Sequence, residues 1–446
     1  MAPQLALILV SIFVIFILKI ESRESKDVSK AVWILMIWLL YSGSKSIGTW
    51  LNMGGTMEAG SPADRIFLIG LAVFGVTILI KRNFDLTNHL KNNSLLILII
   101  LYMLISVSWS NIPGISFRRW VREVIALVII FLVASEKNPV QAISTAFRRA
   151  IYIYLPFSIL VINYFPYYGR DYGRWSGELM WIGLADQKNG LAEFCIYAAL
   201  FLIWSNWEKL SKWKSLESKL PVYIDIFMLL LSIYLLMGPD RTLKYSVTST
   251  ISLLVGLAIM IFLSINMNKG VSINRNLVIF FMILIIFIGA MMPFTRITPA
   301  EKVASAFGRD DTLTGRTQIW ATLVPYANKR MFLGYGQGGF WTTSMRELTS
   351  SHGHNGYLDT ILDLGIVGLT LISIMFIYLG IKFVNLQNSY PRLAILLVCL
   401  LYMALVHSMA ESGLSTLSGF PNSLIILFLE IPGTEETNSS LISEQT

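Results

Sequence analysis

Long apolar runs, separated by short polar segments, follow one another along the chain from its first residues almost to its end. Many of these runs approach about 17–20 residues, which is the length of helix that crosses roughly 30 Å of hydrocarbon. The pattern therefore predicts an all-α polytopic membrane protein.

Thirteen candidate helices follow from this pattern, or twelve if one of the two shortest runs, the second or the last, is not a separate span. They lie near residues 4–18, 31–42, 66–80, 94–108, 121–134, 151–165, 189–205, 221–238, 245–265, 277–293, 357–381, 391–408 and 420–431. We see no separate soluble domain between them. The sequence thus predicts a single integral membrane domain over residues 1–446, with about 12–13 transmembrane helices.

The composition agrees with this class of protein. Of the 446 residues, 55% are hydrophobic and only 14% are charged, whereas a soluble domain carries roughly 25% charged residues. The formal net charge of +8 comes from basic residues in short loops, which is the positive-inside pattern rather than a surface for nucleic acid. Cys195 and Cys399 lie inside apolar runs, so we expect buried thiols and no disulfide.

Lysine and arginine are distributed unequally between alternate loops. One set, which includes the loop with Arg148 and Arg149, holds more cations than the other. Loops rich in cations usually face the cytoplasm, so the other set and the long polar segment 292–356 are expected at the outer face. The spans themselves are expected to be almost free of charge.

The segment from Met292 to Gly356 is the long polar stretch of this otherwise apolar chain, and it holds two of the four histidines. Within it, Thr314 or Gly315 is expected to open an amphipathic helix with Arg316 on its first turn. The side of this helix expected to face the membrane carries Ile319, Trp320, Leu323 and Val324. The segment is the best candidate for a catalytic loop.

Arginine predominates among the cations of the other loops on the predicted outer face. The candidates for anion binding are Arg118, Arg119, Arg122, Arg170, Arg174 and Arg241, together with Lys188 at a predicted helix start. A guanidinium holds a phosphate through two parallel hydrogen bonds, and a helix N-terminus also attracts anions. Equally, these side chains could extend to lipid headgroups from helix ends.

Histidine offers the candidates for a general base, because its imidazole titrates near neutral pH. His354 is preferred, since it lies between Gly353 and the start of a span near Tyr357, and His352 could serve instead or share the role. His89 is expected to be solvated in a basic loop, and His407 is near enough in sequence to contact Glu411.

The sequence carries none of the common metal-ligand or nucleotide-binding motifs. It has no His-x-x-x-His pair, no Glu-rich helix pair and no Cys ligand set, so no metal and no cofactor is expected. The Gly-rich segment 334–339 resembles a nucleotide loop only superficially, because no strand precedes it. We expect this segment to form a turn.

Several motifs taken together resemble those of a known family. They are Asp311–Trp320 with its Gly-Arg-Thr, then Gly334-Tyr335-Gly336, His354–Asp359 with its His-Asn, and Leu364–Leu369; Ser106–Pro113 with Arg118-Arg119, and Lys188–Gly190, fit the same pattern. In these motifs the chain resembles the O-antigen ligase/polymerase superfamily (Wzy/WaaL-type). Within it, the chain is most similar to ExoQ-like exopolysaccharide polymerases, over roughly residues 95–415.

This resemblance implies a GT-C-like, metal-independent and inverting glycosyltransferase of the bacterial cytoplasmic (inner) membrane, with its active site on the periplasmic face. The donor it implies is an undecaprenyl-diphosphate-linked oligosaccharide. The family's essential histidine falls on His354, and its phosphate-holding arginines fall on Arg316 and Arg241. Further candidates are Arg118, Arg119 and Arg122 for the diphosphate, and His352, Asn355, Lys188, Arg170, Arg174 and Glu411 as auxiliary residues.

Three functions stay open on the sequence. We favour a polymerase that joins lipid-linked repeat units, with a chain-length regulator as a further partner and no nucleic acid. The first alternative is a ligase that transfers the glycan to lipid A core or to a protein hydroxyl. The second is a transporter for lipid-linked sugars, although transporters tend to carry charges within their spans.

Overall fold

The protein is almost entirely helical in a computed structural model, which describes residues 1–25, 27–53, 60–173, 177–211, 213–215, 218–242, 245–295, 315–350 and 352–431. The helices are α1 Pro3–Glu24, α2 Val32–Gly43, α3 Ile47–Trp50, α4 Pro62–Lys81, α5 Leu86–Asn92, α6 Ser94–Ser106, α7 Pro113–Ala134, α8 Pro139–Tyr164, α9 Pro166–Gly169, α10 Lys188–Ser211, α11 Leu220–Met237, α12 Val247–Asn268, α13 Arg275–Thr295, α14 Arg316–Lys329, α15 Thr343–Leu348, α16 Gly356–Asn385, α17 Pro391–His407 and α18 Asn422–Ile426. Two short antiparallel strands, β1 Arg170–Tyr172 and β2 Leu179–Trp181, pair with Arg170 opposite Trp181.

Eight of these helices are long and apolar enough to cross a membrane, or nine if the bent pair α5 and α6 forms one span; this count refers to the described residues. The eight are α1, α4, α8, α10, α11, α12, α13 and α16. Helices α2 and α17 are apolar but shorter. The all-α polytopic class is thus confirmed, although the expected 12–13 spans exceed the number that length and composition support.

The last apolar run, 420–431, does not form a spanning helix. It folds into α18, of five residues, and a 3₁₀ turn at Leu427–Glu430. Residues 422–429 are buried inside the protein. A run packed against protein has the same composition as one that faces lipid, and for this reason the apolar pattern was misleading here.

By its internal contacts the chain divides into two units, and each is described here by itself. The first comprises Met1–Gly54 and Leu132–Leu254, and the second comprises Gly55–Phe131 and Val255–Thr446. The predicted single domain over residues 1–446 stays a prediction.

The first unit contains buried charges where uncharged spans and a basic loop were expected. Arg148 and Arg149 lie within α8, and not in a loop. Arg149 Nε pairs with Glu21 Oε2 of α1 at 2.5 Å, and Arg148 pairs with Asp225 of α11. Each guanidinium has a carboxylate partner, so the helices can carry these charges in an apolar setting. The expectation that the spans are nearly free of charge was wrong.

In the second unit, α16 packs against α6, α13, α14 and α17. It is broken at Gly365, whose φ is +68°, and a Cβ at this position would lie 2.1 Å from the carbonyl oxygen of Phe332. The loop after α14 fills the break, since Ile366 N donates to Met331 O at 2.8 Å. The break therefore fixes the end of α14, which begins with Arg316, against α16, which begins just after His354.

Candidate functional site

Helix α14 presents Arg316 at its first position. The helix starts after Gly315, whose φ of +82° lies in the region that favours glycine. Trp320 and Leu323 are buried, at 3% and 0% exposed, so these two side chains pack into the protein and not against the membrane as expected, whereas Ile319 and Val324 are half-buried. An amphipathic stripe does not by itself distinguish these two apolar surroundings.

The turn before α16 holds His354 in an uncommon conformation. The φ of His354 is +50°, in the left-handed region where few residues other than glycine lie. The preceding peptide is held from both sides. Gly353 N donates to the carboxylate of Asp359 at 3.0 Å, and Gly353 O accepts from the indole Nε1 of Trp320 at 2.9 Å. Strained backbone of this kind concentrates at functional sites, where the surrounding structure enforces it.

Asn355 anchors the other side of the turn. Its side chain is fully buried, and its Oδ1 caps α16 by accepting from Leu358 N at 2.8 Å. Its Nδ2 donates to Gly289 O and Met409 O, both at 3.1 Å. These bonds use the amide within the protein. Asn355, an auxiliary candidate from the sequence, thus fixes the position of His354 in the structure.

Arg316, Glu411 and His354 come together in one chain of charged groups. Arg316 Nη2 lies 2.6 Å from Glu411 Oε1, and the other carboxylate oxygen, Oε2, lies 3.6 Å from His354 Nδ1. The second distance is too long for a hydrogen bond but suits an ion pair when the imidazole is protonated. Glu411 is 7% exposed, against 12% for Arg316 and 21% for His354. A substrate can therefore reach the histidine more readily than the carboxylate.

The charge state of Glu411 follows from its neighbours. Burial alone raises the pKa of this carboxyl, but Arg316, His354 and His407 outweigh burial and hold the pKa well below its usual range. Glu411 is thus an anion at neutral pH and would stabilise a proton taken up by His354.

His352 lies beside His354, with ring centroids 4.1 Å apart. Its Nδ1 accepts from His354 N at 3.4 Å. Burial, followed by the neighbouring His354 and by two arginines, lowers the pKa of His352 to about 3, although Glu411 acts in the opposite direction. A histidine with such a pKa is neutral at pH 7 and is a weak base, so the geometry favours His354 over His352 as the base.

The same groups could hold a metal ion. Ligand atoms of His352, His354 and Glu411 lie within 4.8 Å of one another. Two imidazole nitrogens and a carboxylate oxygen suit Zn²⁺ in particular. One oxygen of the carboxylate accepts from Arg316, and the other lies 3.6 Å from His354 Nδ1. The expectation of a metal-independent site stays a prediction.

The other arginine candidates of the second unit lie on the first half of α7. Arg118 is exposed, whereas Arg119 and Arg122 are partly exposed. Arg119 Nη1 donates to the carbonyl of Gly338, so this arginine is partly engaged by the glycine-rich segment 334–339. That segment forms the expected turn, with positive φ at Gly334, Gly336 and Gly338.

The remaining cationic candidates belong to the first unit. Arg170 Nε donates to Ile162 O at 2.7 Å, and Lys188 Nζ lies 5.3 Å from the ring centroid of Tyr245. Arg241 is exposed, with a φ of +53°. Arg174 lies outside the described residues, as does the motif portion 311–314. Lys188 and Arg170 thus have contacts within their own unit, and Arg241 has its side chain available to an anion.

Sequence reasoning named Asn355 and Glu411 but gave no supporting role to Asp359 or Trp320, which also hold the backbone before His354. Asp359 also accepts from Ser412 Oγ, next to Glu411, and Trp320 was assigned to the membrane. Asp359 lies in the first turn of α16, where an acidic residue is ordinary, so its position carried no specific signal. The expected solvated state of His89 was also wrong, since its Nδ1 lies 2.8 Å from Glu430 Oε2 and its ring stacks on Phe84.

Comparison with known proteins gives two similarities. Residues 227–373 match the profile of a family described as O-Antigen ligase. The exopolysaccharide production protein ExoQ of Rhizobium meliloti (strain 1021) is 22% identical over 293 residues, which is 62% of this chain and 62% of that protein. The chain therefore spans less than two thirds of the length of this relative. The family match includes Arg241, Arg316 and His354, whereas Glu411 follows it in the sequence.

Proposed function

Because the chain belongs to the O-antigen ligase/polymerase superfamily, we propose that it is a polysaccharide polymerase. Its substrates are undecaprenyl-diphosphate-linked oligosaccharide repeat units, which it joins at the periplasmic face of the bacterial inner membrane. The reaction is metal-independent and inverts the anomeric carbon. The observation that carries this proposal is the chain of charged groups formed by Arg316, Glu411 and His354.

His354 is the proposed general base. The acceptor hydroxyl oxygen forms a bond to the anomeric carbon of the donor sugar while its proton passes to His354. The bond between that carbon and the diphosphate oxygen breaks, and the diphosphate leaves with the electron pair. Glu411 stabilises the imidazolium that forms, because its carboxylate oxygen lies 3.6 Å from Nδ1.

Arg316 neutralises the charge that develops on the leaving diphosphate. A guanidinium has five N–H donors, and the bond to Glu411 Oε1 uses a donor of Nη2. The remaining donors can bind phosphate oxygens in the paired geometry that arginine prefers. A preorganised cation of this type stabilises a transition state without reorganising at the moment of reaction.

Arg241 and, separately, Arg118, Arg119 and Arg122 are also proposed to bind diphosphate. Arg241 and Arg118 have exposed side chains. Arg119 contributes less, because Nη1 donates to Gly338 O. Lys188, Arg170 and Arg174 are proposed only as auxiliary cations near the lipid headgroups.

A polymerase is favoured over a ligase because the relative is named for exopolysaccharide production. The two differ only in the acceptor, which is another lipid-linked repeat for the polymerase and lipid A core or a protein hydroxyl for the ligase. The buried pairs of α1, α8 and α11 are a feature that transporters also carry, so transport of lipid-linked sugars stays the second alternative.

The test uses purified protein in detergent with the undecaprenyl-diphosphate repeat unit as sole substrate. We expect a ladder of glycans of increasing length from the parent protein, and at least about a hundredfold lower rate from His354→Ala, in keeping with the loss of a general base. His89→Ala is the matched control, because His89 pairs with Glu430, outside the site.

Each outcome separates the alternatives. Equal activity in His354→Ala and the parent would overturn the assigned base. If no ladder forms, supplying a lipid A core acceptor tests the ligase, and product there would replace the polymerase. If neither acceptor gives product, the transporter alternative is tested by measuring transport of the lipid-linked sugar in sealed vesicles.

A further inference from the structure

We propose that His352, His354 and Glu411 form a regulatory site for Zn²⁺, and that the bound ion inhibits glycan transfer by occupying the ring of His354. The inhibition rests on the proposed function, whereas binding of the ion does not. The site is a property of three side chains whose ligand atoms lie within 4.8 Å of one another.

Two of the three ligands are almost at the required spacing. Zn–N and Zn–O bonds of about 2.0–2.2 Å in a tetrahedron set neighbouring ligand atoms roughly 3.3–3.5 Å apart. His354 Nδ1 and Glu411 Oε2 are 3.6 Å apart. His352 completes the set, since its ligand atom lies within 4.8 Å of those of the other two residues.

His354 Nδ1 is the atom that points to a ligand. It is buried and has no hydrogen-bond partner among the described residues, and a buried polar atom in this state calls for an explanation. A cation between Nδ1 and Glu411 would satisfy it. The Nδ1 atom lies 3.6 Å from Glu411 Oε2, which is where such a cation would bind.

Arg316 gives the carboxylate an outer partner. It holds Oε1 at 2.6 Å and leaves Oε2 directed toward His354, as is common for carboxylates that bind metals. The same guanidinium repels a dication, so the site should bind Zn²⁺ reversibly and more weakly than a structural zinc site. Open positions around the ion remain for water, as three protein ligands do not complete a tetrahedron.

Binding of Zn²⁺ to His354 and catalysis by His354 are mutually exclusive. With the ion on Nδ1, the neutral imidazole carries its proton on Nε2, so the ring has no lone pair left to take up the proton of the acceptor hydroxyl. Glu411 is also no longer available to stabilise an imidazolium. Zinc should therefore reduce the rate constant for transfer, and a chelator should restore it. His89 and Glu430 offer a contrast, because their pair at 2.8 Å contains a single histidine.

The test uses the full-length protein in detergent with its affinity tag removed, and Co²⁺ as a spectroscopic probe of the site. In the parent we expect the intense visible absorption of tetrahedral Co²⁺, displaced by Zn²⁺. The variants are His352→Ala and His354→Ala, and the elution profile of each is used to check that it is folded. We expect each variant to bind Co²⁺ at least about tenfold more weakly than the parent protein does. His89→Ala is the matched control and should bind as the parent does.

Inhibition is measured in parallel on the parent and on His89→Ala, with Zn²⁺ followed by excess EDTA. Tetrahedral Co²⁺ binding that needs both histidines, with reversible inhibition by Zn²⁺, supports the proposal. Unchanged binding in either site variant, or binding without inhibition, overturns it. If the parent binds Co²⁺ through both histidines yet makes no glycan with any acceptor, the metal site stands and the proposed function fails.

Discussion

Buried arginine–carboxylate pairs occur in both units, but their surroundings differ. In the first unit, Asp225 accepts from Arg148, from Tyr152 OH at 2.6 Å and from Asn206 Nδ2 at 2.9 Å. In the second, Glu411 accepts from Arg316 on one oxygen and faces His354 at 3.6 Å with the other. One carboxylate is surrounded by donors on continuous helices, and the other lies between an arginine and a histidine.

The backbone that carries the two carboxylates and their partners also differs between the two units. Asp225 and Arg148 lie inside regular helices, whereas Glu411 and His354 lie in loops, with His354 in the left-handed region. A carboxylate held by donors within rigid helices serves stability, while one that faces a histidine on a constrained loop is suited to chemistry. Charge and burial alone do not distinguish these roles, whereas the backbone conformation and the neighbouring histidine do.

The largest effect is expected from Asp225→Asn. The change leaves the buried Arg148 guanidinium without its anion, which costs about 3–5 kcal/mol of stability. Thermal unfolding in detergent should show a markedly lower midpoint, whereas the transfer rate per folded molecule should be unaltered. Replacing both partners, as in Arg148→Met with Asp225→Leu, should recover part of the loss. A normal midpoint for Asp225→Asn would mean that the pair contributes little.

Glu411→Gln should have the next largest effect, which is an effect on the transfer rate and not on stability. Without the anion, the imidazolium of His354 is less stable and Arg316 loses its orienting partner, so we expect kcat to fall about a hundredfold. The apparent affinity for the donor should change little. Asp225→Asn is the comparison variant: if both substitutions reduce kcat equally, the distinction between the two pairs does not hold.

The class of fold could be predicted because it depends on composition and run length. The eight long helices each fall on an apolar run identified from the sequence. The sequence could not tell lipid from protein as the partner of an apolar face, and for that reason the face with Trp320 was placed against the membrane and the run 420–431 was taken as a span.

The site could be predicted only in part, because its pieces are distant along the chain. His354 and Arg316 followed from motifs within one loop, and the structure brings them together through Glu411, 95 residues from Arg316. The pairing of Arg148 with Asp225 spans 77 residues, and neither hydropathy nor local spacing indicates such a contact. Long-range pairs of this kind depend on how helices pack, which no local pattern specifies.

A smaller effect is expected from Trp320→Phe, which acts on His354 through the backbone. The variant loses the bond from Nε1 to Gly353 O, worth about 1 kcal/mol, so kcat should fall roughly fivefold with KM unchanged. Trp120→Phe is the matched control, since its Nε1 donates to Ile100 O at the same 2.9 Å, away from the histidine. A change in KM instead of kcat would argue against a positioning role.

Chelation of metal ions should have the smallest effect on the transfer rate, and the direction of any change in that rate is informative. Arg316 already supplies a fixed positive charge next to the base, so the leaving diphosphate needs no divalent ion for neutralisation. EDTA should therefore leave the transfer rate of the parent unchanged, or raise it where traces of zinc occupy the two histidines. Purified protein is assayed with and without EDTA, and then with excess Mg²⁺. A rate that falls on chelation and returns with Mg²⁺ would mean that a metal ion, and not Arg316, neutralises the leaving diphosphate. The contrast between Asp225 and Glu411 would then be a contrast in metal binding.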